Sequence, residues 1–183
     1  MEPKLNIAIC GGGNLAHGST AAISHFNPQF SVKLLSRRPE VWQKEITAIT
    51  KGSSWENKGD LVGKLDTVSK DAADVVPNAD VIIICSPAHT KLDILKQIKP
   101  NIKKGALVGT IFGQGAFDWM ASHALGDDMI EQMDLTIFSL HYVPFICKVL
   151  EYGKSINIIG PKKCLYATAY PIEKVHYACN VLS

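Results

Sequence analysis

The sequence predicts an α/β fold, a doubly wound parallel sheet, and three observations carry that expectation. Short apolar runs alternate with helix-compatible segments along most of the 183 residues. The clearest run, Val81-Ile82-Ile83-Ile84-Cys85-Ser86, is apolar without alternation, as a parallel strand covered on both faces requires. The first run, Leu5 to Cys10, enters the cluster Gly11-Gly12-Gly13 and leaves it into a helix-compatible segment. Strand, glycine turn, helix is the order that a dinucleotide pyrophosphate needs.

Each element follows from local chemistry. Gly11 can take the tight turn, Gly13 lets the backbone approach phosphates, and the small Ala16 lets the helix lie close to the strand. The first helix runs from Asn14 to about Phe26 and stops at Asn27-Pro28, because Pro28 disfavours helix at the residue before it. Phe30 to Ser36 reads as the second strand. Pro39 suits the first turn of a helix through Trp42 to about Ile49, which gives a βαβ unit with a fresh helix after it. Lys51 to Lys70, with Asn57-Lys58-Gly59-Asp60 at its centre, reads as a hairpin-like excursion between short strands. A short helix over Asp71–Val76 precedes the central strand.

Further along, His89 to Ile98 is a helix, Gly105 to Phe112 a buried strand, Ala116 to Leu125 a helix, and Thr136 to Leu140 a strand. Ile146–Tyr152 and Ser155–Ile159 flank Gly153-Lys154 as a strand pair, and Lys162 to Ser183 gives a short helical tail. This is the Rossmann arrangement, a single domain with a short C-terminal strand pair. It occupies residues 1–160, and 161–183 form a linker or tail.

Composition narrows the function classes. With 46% hydrophobic and 20% charged residues the chain is an ordinary globular one. A formal net charge of +2 gives no basis for nucleic acid or an anionic membrane as partner. No apolar run approaches the ~20 residues of a membrane span. Met1-Glu2-Pro3-Lys4 leads straight into the first strand, leaving no room for a signal peptide, so a cytoplasmic setting is expected. The five cysteines, Cys10, Cys85, Cys147, Cys164 and Cys179, are odd in number and widely spaced, which points to free thiols in a reducing compartment without structural zinc.

In a doubly wound sheet, ligands bind beyond the carboxyl ends of the strands. The candidates are therefore Gly11, Gly13, Asn14, Leu15 and Ala16 after the first strand, Ser36, Arg37 and Arg38 after the second, and Cys85, Ser86, Pro87 and Ala88 after the central one. Phe112-Gly113-Gln114 and His141 follow the next two. No acid stands between Ile23 and Arg38, so the usual partner of a ribose 2′-hydroxyl is missing where an arginine can accommodate a 2′-phosphate. Arg37 and Arg38 as surface residues, or packed on the adenine, fit that spacing equally well. His89 and His141 stand near strand ends, but neither shows the triad or metal-ligand spacing that would assign it a reaction.

Several blocks together resemble one family. Cys10-Gly-Gly-Gly-Asn-Leu-Ala-His17, Ala79-Asp80-Val81-Ile82-Ile83 with Ser86-Pro87-Ala88, Gly113-Gln114-Gly115-Ala116-Phe117, and Val143-Pro144-Phe145-Ile146-Cys147-Lys148 running to Tyr152-Gly153-Lys154 occur in one order. That order is similar to the N-terminal part of the opine dehydrogenases, the octopine and tauropine group, over roughly residues 5 to 160. The glycine cluster and central strand are also shared with glycerol-3-phosphate dehydrogenases. The resemblance implies an NAD-dependent reductive condensation of pyruvate with an amino acid or taurine, with NADP kept open by the two arginines. It implies that Gly11 to Ala16 hold the pyrophosphate, that Ser86, Pro87 and Ala88 line the nicotinamide side, and that Gln114 faces the keto acid. The family usually has Thr-Leu-Pro where Tyr142-Val143-Pro144 stand here, and Arg where Lys148 stands. It also carries its catalytic histidine and amino-acid site in a second, helical domain, so the 183 residues are expected to position a hydride donor and to turn over little alone. A stand-alone NAD(P)-binding module, or a related dehydrogenase of the glycerol-3-phosphate dehydrogenase type, is the alternative.

Overall fold

The computed structural model describes residues 4–113 and 116–183. Its centre is a seven-stranded sheet built from β1 (Asn6–Cys10), β2 (Ser31–Leu35), β5 (Thr67–Ser69), β6 (Val81–Ile84), β7 (Leu107–Thr110), β8 (Thr136–Leu140) and β11 (Ala167–Tyr170). The spatial order is β11-β8-β7-β6-β1-β2-β5, and all neighbours are parallel except the antiparallel pair β11–β8. Strand order reverses at β1, between β2 and β6. That is the switch point where a doubly wound sheet opens a crevice for ligand.

Both faces of this sheet are covered, as the unbroken apolar run of β6 requires. Ile7 and Ile9 of β1 enter one core, whereas Ala8 and Cys10 enter the other. The second core is closed by α2 (Ala72–Val75), α3 (Ala88–Ile98), α4 (Phe117–Leu125) and α5 (Asp127–Gln132). The first is closed by α1 (Asn14–Phe26), by α6 (Val175–Leu182) and by a second sheet.

The second sheet is where the structure departs from the sequence reading. Residues 39–49 are no helix. Pro39–Val41 make one 3-10 turn, and Glu45–Ile49 are strand β3. The segment alternates: Ile46 and Ala48 are buried while Thr47 and Ile49 are half-exposed, a period of two that a helix cannot satisfy. β3 pairs antiparallel with β4 (Leu61–Lys64), so the residues around Asn57–Asp60 lie in the loop of a hairpin whose first strand is the segment expected as helix. β3 then pairs parallel with β10 (Ser155–Pro161), which pairs antiparallel with β9 (Phe145–Glu151). The strand pair expected near the C-terminus is thus half of a four-stranded sheet, β4-β3-β10-β9. The helical reading of the tail is corrected as well. Residues 167–170 form β11 on the edge of the main sheet, because Ala169 is buried against it while Thr168 and Tyr170 point outward. Only Val175–Leu182 are α-helical there.

Helix α1 is held between the two sheets, and its composition explains why it can be. Ala16, Gly18, Ser19, Ala21 and Ala22 are buried, and their small side chains let strands approach on both sides. Gly63 of β4 lies so close that a Cβ there would stand 2.4 Å from the Thr20 carbonyl oxygen and 2.7 Å from the Ala21 Cα. Both are backbone atoms, so no rotamer change relieves the contact. Gly63→Ala should therefore cost about 2 kcal/mol by overpacking and lower the melting temperature by about 4–8 °C for a chain of this size. A calorimetric scan showing no change would mean that β4 does not rest on α1.

Candidate cofactor-binding site

The site is built from the loop after β1, the end of β2 and the end of β6. Gly11 has φ +146°, and a Cβ on it would stand 2.3 Å from the Cys85 carbonyl oxygen. Its N–H donates to the Leu35 carbonyl at 2.9 Å, so the turn is tied to both flanking strands. Glycine is required there by the fold. Gly13, two residues on, differs: it has φ −90° and no atom within 4 Å of where its Cβ would be. It occupies the N-cap of α1 and offers no side chain to the first helical N–H groups. An open face therefore lies over uncapped donors at the positive end of a thirteen-residue helix. Such an end suits an anion.

The remaining turn residues hold the helix in place. The Asn14 Oδ1 accepts the Val149 N–H at 2.9 Å, and Ala16 is fully buried. Leu15 is half-buried against the core between the sheets. At the central strand, Cys85 donates its N–H to the Cys10 carbonyl at 2.8 Å, and burial pushes its thiol up to about 12. Burial also raises the Cys10 thiol, so both are packing groups and not nucleophiles. Ser86 Oγ is buried with no hydrogen-bond partner among the described residues. Pro87 is the N-cap of α3 and Ala88 its first residue. The structure thus packs Gly11 against Cys85, with Gly13 at the start of α1 and Ser86 just after β6, at the carboxyl ends of adjacent strands. A nucleotide fits this donor set: an open glycine cradle on one side and a buried hydroxyl with unmet capacity on the other.

At the end of β2, Ser36 is buried and Arg37 and Arg38 are exposed. The Arg38 guanidinium lies 4.3 Å from the centre of the Tyr152 ring. Gln114, the residue the resemblance assigns to the keto acid, lies outside the described residues. A cleft of about 740 Å³ opens at the carboxyl ends of β7 and β8, lined among others by Phe112, Gly113, Asp118, His141, Tyr142 and Tyr166. His141 contacts the Tyr142 ring, and none of the described histidines hydrogen-bonds a carboxylate. Among the described residues no His, Cys, Asp and Glu cluster could hold a metal ion, and no helix is long and apolar enough to cross a membrane.

Two buried side chains here escaped the sequence reading. Lys91 on α3 is 1% exposed, and its Nζ donates to the Phe112 carbonyl at 2.5 Å. Burial holds its pKa below the usual lysine range. The signal was its place on the apolar stripe Lys91–Leu95–Ile98, at i, i+4 and i+7. His17 on α1 is fully buried between the sheets. Its Nε2 accepts the Gly153 N–H at 2.7 Å, which fixes the tautomer: Nδ1 carries the proton and donates to the Gly13 carbonyl at 2.9 Å. Its ring stacks on Trp42 with centroids 4.0 Å apart and meets Tyr152 edge-on at 5.0 Å. His17 thereby clamps the β9–β10 turn onto the glycine turn.

No family model matches the chain. Tauropine dehydrogenase of Arabella iricolor is 29% identical over 170 residues, covering 88% of this chain and 42% of that protein. Octopine dehydrogenase of Mizuhopecten yessoensis is 26% identical over 171 residues, covering 90% of this chain and 42% of that protein. Among solved structures, octopine dehydrogenase in complex with NADH and agmatine superposes with a TM-score of 0.80 at 23% identity, over 91% of this chain and 42% of that one. The chain spans about two-fifths of the length of the relatives it matches. By sequence and by fold together, the chain is similar to the N-terminal half of the opine dehydrogenases.

Proposed function

We propose that the chain is the cofactor-binding part of an opine-dehydrogenase-type oxidoreductase, which condenses pyruvate with an amino acid or taurine and reduces the imine with NADH or NADPH. The observation that carries this reading is the open Gly13 face at the uncapped end of α1, beside the sheet's switch point. In this reading Gly11 shapes the turn, and Gly13 with the N–H groups of Asn14, Leu15 and Ala16 receives the pyrophosphate. Ser86, Pro87 and Ala88 line the nicotinamide side. When bound, the reduced nicotinamide supplies the hydride. The chain's own contribution is to bind and orient that donor. No described histidine has a carboxylate to orient it, so these residues offer no placed acid–base pair for the condensation.

Tryptophan fluorescence tests the reading, because Trp42 lies within the aromatic cluster beside the glycine turn. Titration with reduced nicotinamide nucleotide is expected to quench it saturably, while pyruvate plus an amino acid gives little turnover by this chain alone. Failure of both NADH and NADPH to bind would overturn the assignment. Turnover at ordinary enzymatic rates would show that an acid–base pair is present after all.

A further inference from the structure

We propose that Ser36, Arg38 and Tyr152 form a site for an adenosine 2′-phosphate, so that the chain takes NADPH in preference to NADH. This rests on the reading of the glycine turn as the pyrophosphate site. The three residues come from two remote parts of the chain, the end of β2 and the β9–β10 turn; Ser36 and Tyr152 meet at Gly12, and Arg38 lies against the Tyr152 ring. A Cβ on Gly12 would stand 2.6 Å from the Tyr152 hydroxyl and 3.5 Å from Ser36 Oγ. Both oxygens therefore border the turn on its β2 side, where the adenosine ribose lies in this fold.

The hydrogen-bonding inventory decides between the two nucleotides. A ribose 2′-hydroxyl is usually recognised by a carboxylate that accepts its proton, whereas a phosphate offers only acceptors near neutrality. Ser36 Oγ already accepts from Trp42 Nε1 at 3.1 Å and from the Arg38 N–H at 3.4 Å. Its lone pairs are engaged, and what remains is its O–H to donate. The Tyr152 hydroxyl makes no hydrogen bond among the described residues and is free to donate as well. The Arg38 guanidinium, 4.3 Å from the ring centre of Tyr152, adds a fork of donors and no acceptor. Glu40 is exposed and forms no ion pair among the described residues, so no carboxylate is placed to substitute.

The site is also preorganised. The Tyr152 ring is fixed by edge contacts with His17 at 5.0 Å and Trp42 at 5.7 Å, and the next residue, Gly153, is anchored to His17. The cation–π contact with that ring holds the guanidinium at the β9–β10 turn. Arg37 has no ring or ion-pair contact among the described residues and is not assigned a role.

The test is a pair of fluorescence titrations on the full chain, with NADPH and NADH, repeated with 2′,5′-ADP and 5′-AMP as probes of the adenosine half. NADPH is expected to bind at least about tenfold more tightly than NADH, the scale of a charge-assisted pair. Arg38→Ala should abolish that preference by weakening NADPH at least about tenfold more than NADH, and Tyr152→Phe, which keeps the stacking ring, should lose only part of it. Equal or tighter binding of NADH by the unmodified chain overturns the proposal, as does an Arg38→Ala loss of equal size for both nucleotides. Binding of neither nucleotide overturns the cofactor reading itself, and this one with it.

Discussion

Gly13→Asp should abolish nucleotide binding while leaving the fold intact or slightly more stable. Position 13 is an N-cap in extended backbone, and its Cβ would meet nothing within 4 Å. An aspartate there can accept from the first helical N–H groups, as good N-caps do, and its charge favours the helix end by about 0.3–1 kcal/mol. That same carboxylate would occupy the place of a phosphate. At ~4 Å and an effective dielectric near 20, two like charges repel by about 4 kcal/mol, which predicts a loss of more than ~100-fold in affinity. Gly11→Ala should do the reverse. Its Cβ would press on the Cys85 carbonyl at 2.3 Å in a backbone conformation that L residues rarely adopt, so folding itself would suffer. Isothermal titration beside a thermal scan separates the two. A folded Gly13→Asp protein that kept its nucleotide affinity within tenfold would place the pyrophosphate elsewhere.

These two glycines show what the sequence revealed and what it hid. The order strand, glycine turn, helix was legible because each piece is local: an apolar run, residues free of a Cβ, and a helix of small residues ended by Asn27-Pro28. The alternation of strands and helices was legible for the same reason, and α1 has the bounds expected of it. The second sheet was not. Glu45–Ile49 carries only five residues of alternation after a proline that suits a helix start, and what makes it a strand is β10, more than a hundred residues away. β11 was hidden similarly, since its partner β8 lies in the main sheet and the four residues themselves are mixed. At the site, the glycine turn and the ends of β2 and β6 were readable, because the fold rule points to strand ends. Tyr152 and His17 were not, because their roles depend on a contact between α1 and a turn of the second sheet. Lys91 was readable in principle, as the one charged residue on an otherwise apolar stripe.

The second large effect is expected at His17, and it comes with a signature in pH. The ring is fully buried, accepts the Gly153 N–H and donates to the Gly13 carbonyl, so it is neutral in the folded chain. Protonation would point an Nε2–H at the Gly153 N–H, donor against donor. Burial accordingly holds its pKa below the ordinary value of 6.5. The unfolded chain then binds a proton more readily than the folded one as pH falls below about 6.5. The stability His17 contributes is fully present above that pH, and it is lost progressively on acidification until the folded state also protonates. His17→Phe keeps a ring against Trp42 and Tyr152 but strips both hydrogen bonds and leaves the buried Gly153 N–H unsatisfied. That should cost about 1–3 kcal/mol. His17→Ala adds a cavity between the sheets and should cost about 3–5 kcal/mol, a drop of roughly 6–20 °C in melting temperature. The distinguishing measurement is urea unfolding at pH 8 and pH 5.5. Wild type should lose stability between them by more than His17→Phe does, because the variant no longer has the buried imidazole. Identical losses in the two proteins would mean that His17 is not held neutral by its burial, and that the clamp between the glycine turn and the β9–β10 turn is not built on it.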